Sequence, residues 1–292
     1  MAPTRPTPTV RLRRLAAELT RLRAAADMSR EEVSRHTGIN HATLYRIETA
    51  KARPQMRTLA ALLTLYGVDA EQREKLNTLC REAATQGWLR PYHSDLPEEY
   101  TAYISFEDDA AGVRNYESLF IPGLLQTEDY ARAVIRSGLP WATDAEVADR
   151  VQARMDRQGV LTKEAPLKLW AVVDEAALCR LVGGADVMRA QLRHLTEAVT
   201  APNITVQIIP FGAGAHPGMP GAFVLMDFSD PMDTDLIHID SMAGDLFLEA
   251  DEDVRRYTSI FDNLRAIALS PDDSASLVAE LAHGTRQGGN QE

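Results

Sequence analysis

The sequence predicts a multidomain chain, in which an all-α domain of five helices precedes an α+β domain with a mostly antiparallel sheet. Three observations predict this division. The chain has 292 residues, a length typical of roughly two domains. Apolar residues recur at helical spacing before residue 85, whereas short apolar strands separated by Gly, Pro and Asp dominate after Pro166. The net charge also changes sign along the chain.

The charge asymmetry indicates that the two parts have different partners. Residues 1–90 contain 16 Lys and Arg against 9 Asp and Glu, a net charge of +7, whereas residues 91–292 contain 15 against 33, a net charge of −18. The two values sum to the −11 of the whole chain. A basic domain joined to an acidic one is typical of a nucleic-acid-binding module attached to a second function. Phosphates should repel the acidic part, so only the basic part is expected to contact DNA.

The domain limits follow from composition and periodicity. Proline-rich residues 1–9 are expected to form a disordered arm, and the polar C-terminal residues a disordered tail. The predicted segments are the arm at 1–9, an all-α domain at 10–85, a linker at 86–96, an α+β domain at 97–283 and the tail at 284–292.

The first three helices of the basic domain have clear start and stop signals. A first helix over 10–26 has apolar residues at three- and four-residue steps. Ser29, with Glu32 three residues later, predicts a capping box at the start of a second helix. Gly38 stands where that helix should end in a left-handed residue. Asn40 is a suitable N-cap for a third helix over 40–50.

Two more helices, over 56–66 and 69–84, complete the predicted bundle. The tight turn containing glycine between the second and third helices is typical of a helix-turn-helix domain. In such a domain the third helix enters the major groove of double-stranded DNA.

Residues 11–68 contain the segments S-R-E-E-V-S-R-H-T-G-I-N, then L-Y-R-I-E, then T-L-A-A-L-L-T-L-Y-G-V. In these segments the chain resembles the Cro and phage-repressor type of helix-turn-helix domain, the XRE family. The resemblance implies that Arg30 contacts the DNA backbone or a base and that His41 and Ala42 are the leading recognition positions. It also implies a structural ion pair between Arg23 of the first helix and Glu48 of the third.

The chemistry of the third helix fits DNA recognition. The planar guanidinium of Arg46 matches O6 and N7 of guanine, and the methyl group of Ala42 can touch a thymine methyl. Tyr45 and His41 flank these two residues. Asn40 and Thr43 are suited to phosphate, as are the cations that follow the helix, Lys51, Arg53 and Arg57. The alternative interpretation, that Arg46 and His41 are ordinary solvated surface residues, remains open.

The acidic part begins with a predicted helix over 97–116 and helices near 127–137 and 144–158. LKLWAVV, NITVQIIPF, GAFVLMDF, DLIHID and DLFLEA are predicted strands. DEAALCRLV and ADVMRAQLRHLTEAVT are predicted helices between them, and two more, over 251–268 and 272–282, close the chain.

The acidic part contains the segments I-P-G-L-L-Q-T-E-D-Y-A-R-A, D-E-A-A-L-C-R and V-Q-I-I-P-F. In these segments, and over about residues 88–270, it resembles the large, WhiJ-like and antitoxin-like C-terminal domain of actinobacterial XRE regulators. It implies a sensor or partner-binding module, with a small protein encoded nearby as the expected partner.

The segment PGLLQT has two interpretations. Its apolar residues either fill the core, which is the usual place for leucine, or line a groove for a partner helix. The candidate partner- or ligand-binding residues are Glu107, Pro122, Gly123, Leu124, Leu125, Gln126 and Tyr130. Glu107, Gln126, Glu117 and Glu175 could together line a polar pocket, or serve as surface and capping residues.

Enzymatic activity is not expected. No GxSxG, HExxH, Walker or GxGxxG motif is present, and the remaining catalytic candidates are only His216, His238, Asp240 and Glu249. The two cysteines, Cys80 and Cys179, have no metal-binding spacing, so neither a metal nor a cofactor is expected. No apolar run is long enough to cross a bilayer, which predicts a cytoplasmic, nucleoid-associated protein without a membrane partner.

Three functional hypotheses follow. The first is a transcription regulator that binds an inverted repeat as a homodimer. The second is an antitoxin-like protein that mainly sequesters a small partner, with autoregulatory DNA binding. The third is a repressor that senses a small-molecule ligand.

Overall fold

The computed structural model describes residues 10–82, 96–229, 235–241 and 244–284. The chain divides into two compact units, Met1–Asp109 and Ala110–Glu292. The predicted arm at 1–9 lies outside the described residues, as do 86–95 of the predicted linker and 285–292 of the predicted tail.

The first unit contains the five predicted helices and one more. They are α1 (Val10–Ala25), α2 (Arg30–Thr37), α3 (His41–Glu48), α4 (Met56–Leu65), α5 (Ala70–Glu82) and α6 (Glu98–Asp109). The apolar stripes of the first five helices meet in one core, which contains Leu15, Leu19, Val33, Leu44, Ile47, Leu59, Leu62 and Leu63. The all-α prediction for this region is confirmed.

The helix boundaries follow the predicted capping chemistry. Ser29 and Glu32 form the capping box: the Glu32 N–H donates to the Ser29 hydroxyl, and the Ser29 N–H donates to the Glu32 carboxylate. Gly38 has a φ of 72°, and its N–H donates to the carbonyl of Ser34. This left-handed residue stops α2 and turns the chain toward α3, because glycine adopts that conformation without a steric penalty.

One prediction at the start of the acidic part is wrong. The expected single helix over 97–116 is two elements: α6, which ends at Asp109, and the strand β1 (Gly112–Glu117). Gly112 interrupts the helical pattern, and β1 then pairs with a neighbouring strand on each side. Pairing with these distant strands sets the conformation of residues 112–117, because tertiary context overrides the intrinsic propensity of so short a segment.

The second unit is built on a six-stranded sheet within the described residues. Its strands are β1, β2 (Lys168–Asp174), β3 (Ile204–Ile209), β4 (Phe223–Asp227), β5 (Leu236–Ile239) and β6 (Leu246–Leu248). The order across the sheet is β3-β2-β1-β4-β5-β6. β1 is parallel to β2, and β2 to β3, whereas the other three pairings are antiparallel. The mostly antiparallel α+β prediction is confirmed.

In the part of this unit that the structure describes, six α-helices accompany the sheet: α7 (Glu128–Gly138), α8 (Asp144–Arg157), α9 (Glu175–Cys179), α10 (Ala185–Ala198), α11 (Asp251–Ile267) and α12 (Pro271–Ala282). α7 and α8 connect β1 to β2, and α9 and α10 connect β2 to β3, because parallel neighbours need such crossovers. Phe261 and Leu264 of α11 pack on the sheet against Tyr116, Val172 and Leu225. Among the described helices, none is both long and apolar enough to span a bilayer.

Candidate nucleic-acid interface

The turn between α2 and α3 fixes where α3 begins. The Thr37 hydroxyl accepts a hydrogen bond from the Ile39 N–H at 3.2 Å. The Asn40 side chain accepts one from the Ala42 N–H at 2.8 Å, so Asn40 is the N-cap that the sequence predicts. α3 ends at Glu48, two residues before the predicted end. Its last turn closes through Ala50, whose φ is 53°.

α3 has one buried and one exposed face. Leu44 and Ile47 are 1% and 2% exposed and belong to the core of the bundle. The exposed side chains of the helix are those predicted to contact DNA, namely His41, Ala42, Thr43, Tyr45 and Arg46. Burial of Leu44 and Ile47 sets the rotation of the helix, and this rotation turns the predicted contact residues to the surface.

Glu48 carries the only carboxylate of α3, and this carboxylate is buried away from the exposed face. The Glu48 side chain is 2% exposed and accepts hydrogen bonds from Arg23 Nε at 2.7 Å and Arg23 Nη2 at 3.1 Å. Arg23 Nη1 donates to the Met28 carbonyl at 2.9 Å, which anchors the guanidinium to the end of α1. The hydrogen bond with Glu48 raises the pKa of Arg23. The pair that the sequence analysis proposed is therefore in contact, and it joins α3 to α1.

Arg30 occupies a position that sequence reasoning missed. It was expected to meet DNA, but its Nε donates to Glu48 at 2.6 Å, so Glu48 lies between two arginines. The Arg30 guanidinium also lies 5.4 Å from the Tyr45 ring centroid, and the Lys51 ammonium lies 5.1 Å from it. Tyr45 is thus held by two cations. The sequence does not predict this contact, because Arg30 and Glu48 are 18 residues apart and lie on different helices.

The other residues predicted to contact DNA differ in the contacts that their side chains make within the protein. Arg46 and Arg57 are exposed, and their guanidinium groups make no hydrogen bond or ion pair in the described part of the chain. Arg53 Nη1 donates to the Cys80 carbonyl at 3.3 Å, so Arg53 also supports the fold. His41 Nε2 lies 3.2 Å from Glu31 Oε1, and both side chains are more than half exposed.

Comparison with protein families assigns both parts of the chain. Residues 100–280 match the family model described as a domain of unknown function, DUF5753, which covers more than half of the chain. The chain belongs to the DUF5753 family. A second model, described as a helix-turn-helix domain, matches residues 14–76, and it indicates that this DUF5753 protein is a DNA-binding regulator. No curated protein and no solved structure matches the chain.

In this DUF5753 protein, the PGLLQT residues are mostly buried. Leu124, Leu125 and Tyr130 are at most 4% exposed. The Tyr130 hydroxyl accepts from the Ile121 N–H at 3.1 Å, and the Gln126 amide donates to the Ile121 carbonyl at 2.7 Å. These contacts favour the core interpretation over a groove for a partner helix.

Pro122 and Gly123 complete that segment. Pro122 is buried, and it precedes a short 3₁₀ turn over Gly123–Leu125. A β-carbon at Gly123 would overlap the buried Arg157 guanidinium, at 2.2 Å from Nη2. Close packing against Arg157 therefore favours glycine at this position, and a role of this segment in binding stays a prediction.

Each polar candidate of the acidic part has contacts of its own, and a pocket shared by all of them stays a prediction. Glu107 lies on α6 of the first unit, is 1% exposed and accepts from the Tyr103 hydroxyl at 2.8 Å. Glu175, at the start of α9, accepts from the Phe211 N–H at 2.8 Å. Glu117 ends β1, and desolvation raises its pKa to about 7 against the opposing hydrogen bond from Asn115.

Each of the two candidate histidines contacts an aspartate that was not among the catalytic candidates. His216 Nε2 lies 3.2 Å from Asp174, and His238 Nε2 lies 3.0 Å from Asp245. His238 is buried. Burial, followed by the charge of Asp245, raises the pKa of Asp240. Glu249 is not part of either histidine–aspartate contact. That the protein is not an enzyme stays a prediction.

Proposed function

We propose that this protein is a sequence-specific transcription regulator that inserts α3 into the major groove of its operator. One observation supports the proposal most strongly: the exposed face of α3 presents Arg46, His41 and Tyr45, while the single carboxylate of the helix is buried between Arg23 and Arg30. An exposed carboxylate would be repelled by phosphates. The fold therefore removes the one group on α3 that would oppose DNA binding.

The residues divide into base-reading and phosphate-binding roles. Arg46 pairs with guanine O6 and N7, His41 contacts a base near the start of α3, and Ala42 meets a thymine methyl. Asn40, Thr43, Lys51 and Arg57 bind phosphates, which hold the register of the protein on the duplex without reading sequence.

The proposed operator is an inverted repeat bound by a homodimer. A two-fold dimer presents two copies of α3 to half-sites centred about one helical turn apart. The acidic DUF5753 domain is proposed to form the dimer or to bind a regulatory partner.

Enrichment of a random double-stranded oligonucleotide pool by the full chain tests this function. We expect a single enriched motif with two-fold symmetry and half-sites about 10 base pairs apart. A single asymmetric motif would disprove the dimeric arrangement alone. No enrichment over the starting pool, with protein that is folded by circular dichroism, would disprove sequence-specific recognition.

A second candidate function, sequestration of a small protein encoded nearby, is favoured by exposed apolar side chains in the second unit. Trp141, Leu181, Phe211 and Met219 are 62–79% exposed, and a partner that covered them would remove apolar surface from water, which favours association. Co-expression with the neighbouring small gene product should yield a stable complex by size-exclusion chromatography. Separate elution of the two proteins at micromolar concentration would contradict this function.

A further inference from the structure

The second unit contains a cavity of about 530 Å³ that none of the roles above uses. It lies at the amino-terminal ends of the parallel strands β1, β2 and β3 and the carboxyl-terminal end of β4. Its lining includes Gly112, Arg114, Lys168, Trp170, Thr205 and Asp227. The volume lies in the range of small-molecule pockets, roughly 300–1,000 Å³.

The sheet register explains why a depression forms there. Gly112 of β1 lies between Lys168 of β2 and Asp227 of β4. Because Gly112 has no side chain, the floor between these two residues is backbone. A β-carbon at Gly112 would lie 3.3 Å from Asp227 Oδ2, so a side chain would enter the space between the flanking residues.

A rigid aromatic wall stands beside this floor. Trp170 is the neighbour of both Arg114 and Thr205 across the sheet. Its indole N–H donates to Gln207 Oε1 at 2.9 Å, and the Arg265 guanidinium of α11 lies 4.7 Å from the ring centroid. These two contacts fix the orientation of the Trp170 ring, so the aromatic side of the cavity is preformed without a ligand. Pro166 and Pro202 extend the apolar lining.

The polar groups of the cavity are mainly hydrogen-bond donors. Arg114 uses Nε and Nη2 to bind Asp227, at 3.2 and 2.5 Å, which neutralises that carboxylate and leaves Nη1 without a partner among the described residues. The Lys168 ammonium and the Thr205 hydroxyl likewise make no hydrogen bond in the described part of the chain. Lys168, Arg114 and Asp227 together give the lining a net charge of +1. Beside the lining, burial and then the charge of Asp227 raise the pKa of Asp235.

We propose that this cavity binds a small aromatic carboxylate, with its ring against Trp170 and its carboxylate between Lys168 and Arg114 Nη1. Unpaired cationic donors favour an anion, because hydrogen bonds between charged groups are the stronger kind. The apolar and aromatic lining favours a flat hydrocarbon body over a sugar or a free phosphate.

Isothermal titration calorimetry of the full chain, without DNA, tests the proposal. The probes are 2-naphthoate, the neutral 2-naphthylmethanol and the cation 2-naphthylmethylammonium. We expect saturable binding of 2-naphthoate and at least tenfold weaker binding of the other two. Lys168→Gln, at an exposed site, should weaken 2-naphthoate binding about tenfold, whereas Lys163→Gln, the same change at a half-buried lysine outside the lining, should not.

A second variant changes the shape of the cavity without changing its charge, and so separates loss of the site from a general loss of positive charge. Gly112→Val should block the cavity while keeping a good strand-forming residue in β1. We expect it to abolish 2-naphthoate binding with an unchanged circular dichroism spectrum. Absence of saturable binding at millimolar 2-naphthoate, or equal affinities in wild type, Lys168→Gln and Gly112→Val, would overturn the proposal. Because no DNA is present, that failure would leave the proposed DNA recognition untouched.

Discussion

Glu48 shows how a single residue can serve both the fold and the interface. Its carboxylate is almost fully buried and bonded to Arg23 and Arg30, so it holds α3 against α1 and α2. Without it, two guanidinium groups would lie close together near the surface that is proposed to face DNA, with no counter-charge between them.

Replacing Glu48 should therefore destabilise the helix-turn-helix domain. Glu48→Gln leaves the partly buried Arg23 without its ion pair, and we expect the free energy of unfolding to fall by about 2–4 kcal/mol. Urea denaturation measures this change. Glu74→Gln, which removes the exposed ion pair with Arg81, is the control and should cost less than about 1 kcal/mol. Equal costs for the two variants would refute a structural role for Glu48.

Glu117 should make stability depend on pH. Its pKa is raised to about 7 in the folded state, mainly by desolvation, whereas an unfolded glutamate titrates near about 4.3. Between these values the unfolded chain has lost the proton that the folded chain keeps. Stability should therefore decrease as pH rises through this window, by up to about 1.4 kcal/mol per pH unit, and should level off above it.

Glu117→Gln is the variant that checks this dependence. A neutral amide removes the titration, so chemical denaturation between pH 5 and pH 8 should show a smaller decrease in stability than in the wild type. An identical pH profile in the two proteins would mean that Glu117 is ionised throughout in the folded state.

The site residues differ in how far the sequence could predict them. The exposed positions of α3 follow from the spacing of Leu44 and Ile47, since a helix repeats every 3.6 residues. The Arg23–Glu48 contact was implied by family resemblance. The engagement of Arg30 with Glu48 and Tyr45 depends on the crossing of α2 and α3, which no local pattern encodes.

At the scale of elements, the conformation of α3 is set mainly by local sequence, whereas that of β1 is set by pairing with distant strands. α3 has an N-cap at Asn40 and a helical apolar stripe, so its type was predictable and only its end was misplaced by two residues. β1 has six residues and is stabilised by β2 and β4, which lie far away in the sequence. The cavity beside Gly112 was not predictable for the same reason, because its lining comes from four strands.

The basic residues that follow α3, at 51, 53 and 57, should contribute unequally to the salt dependence of DNA binding. Lys51 and Arg57 are exposed and available to phosphates, whereas Arg53 is partly engaged by the Cys80 carbonyl. We expect Lys51→Ala and Arg57→Ala each to reduce the slope of log K against log salt by about 0.9, and Arg53→Ala to reduce it less. Fluorescence anisotropy across a potassium chloride series measures the slope. A larger effect for Arg53→Ala would reverse the proposed assignment.

The whole molecule combines a basic helix-turn-helix domain with an acidic DUF5753 domain. The −18 charge of residues 91–292 opposes contact between that region and the duplex, so DNA affinity must come from the first unit. Both fold classes were predictable from charge and periodicity, which are properties of long segments.

The measurement that tests the central claim most directly is the affinity of Arg46→Ala for the enriched operator. We expect the variant to lose about 1–3 kcal/mol of discrimination, a roughly 5- to 150-fold weaker specific affinity, with unchanged thermal stability and unchanged binding to unrelated DNA. Arg73→Ala, the same change on α5, should bind the operator as the wild type does. Wild-type affinity of Arg46→Ala for the operator would contradict the claim that α3 reads the sequence through this residue.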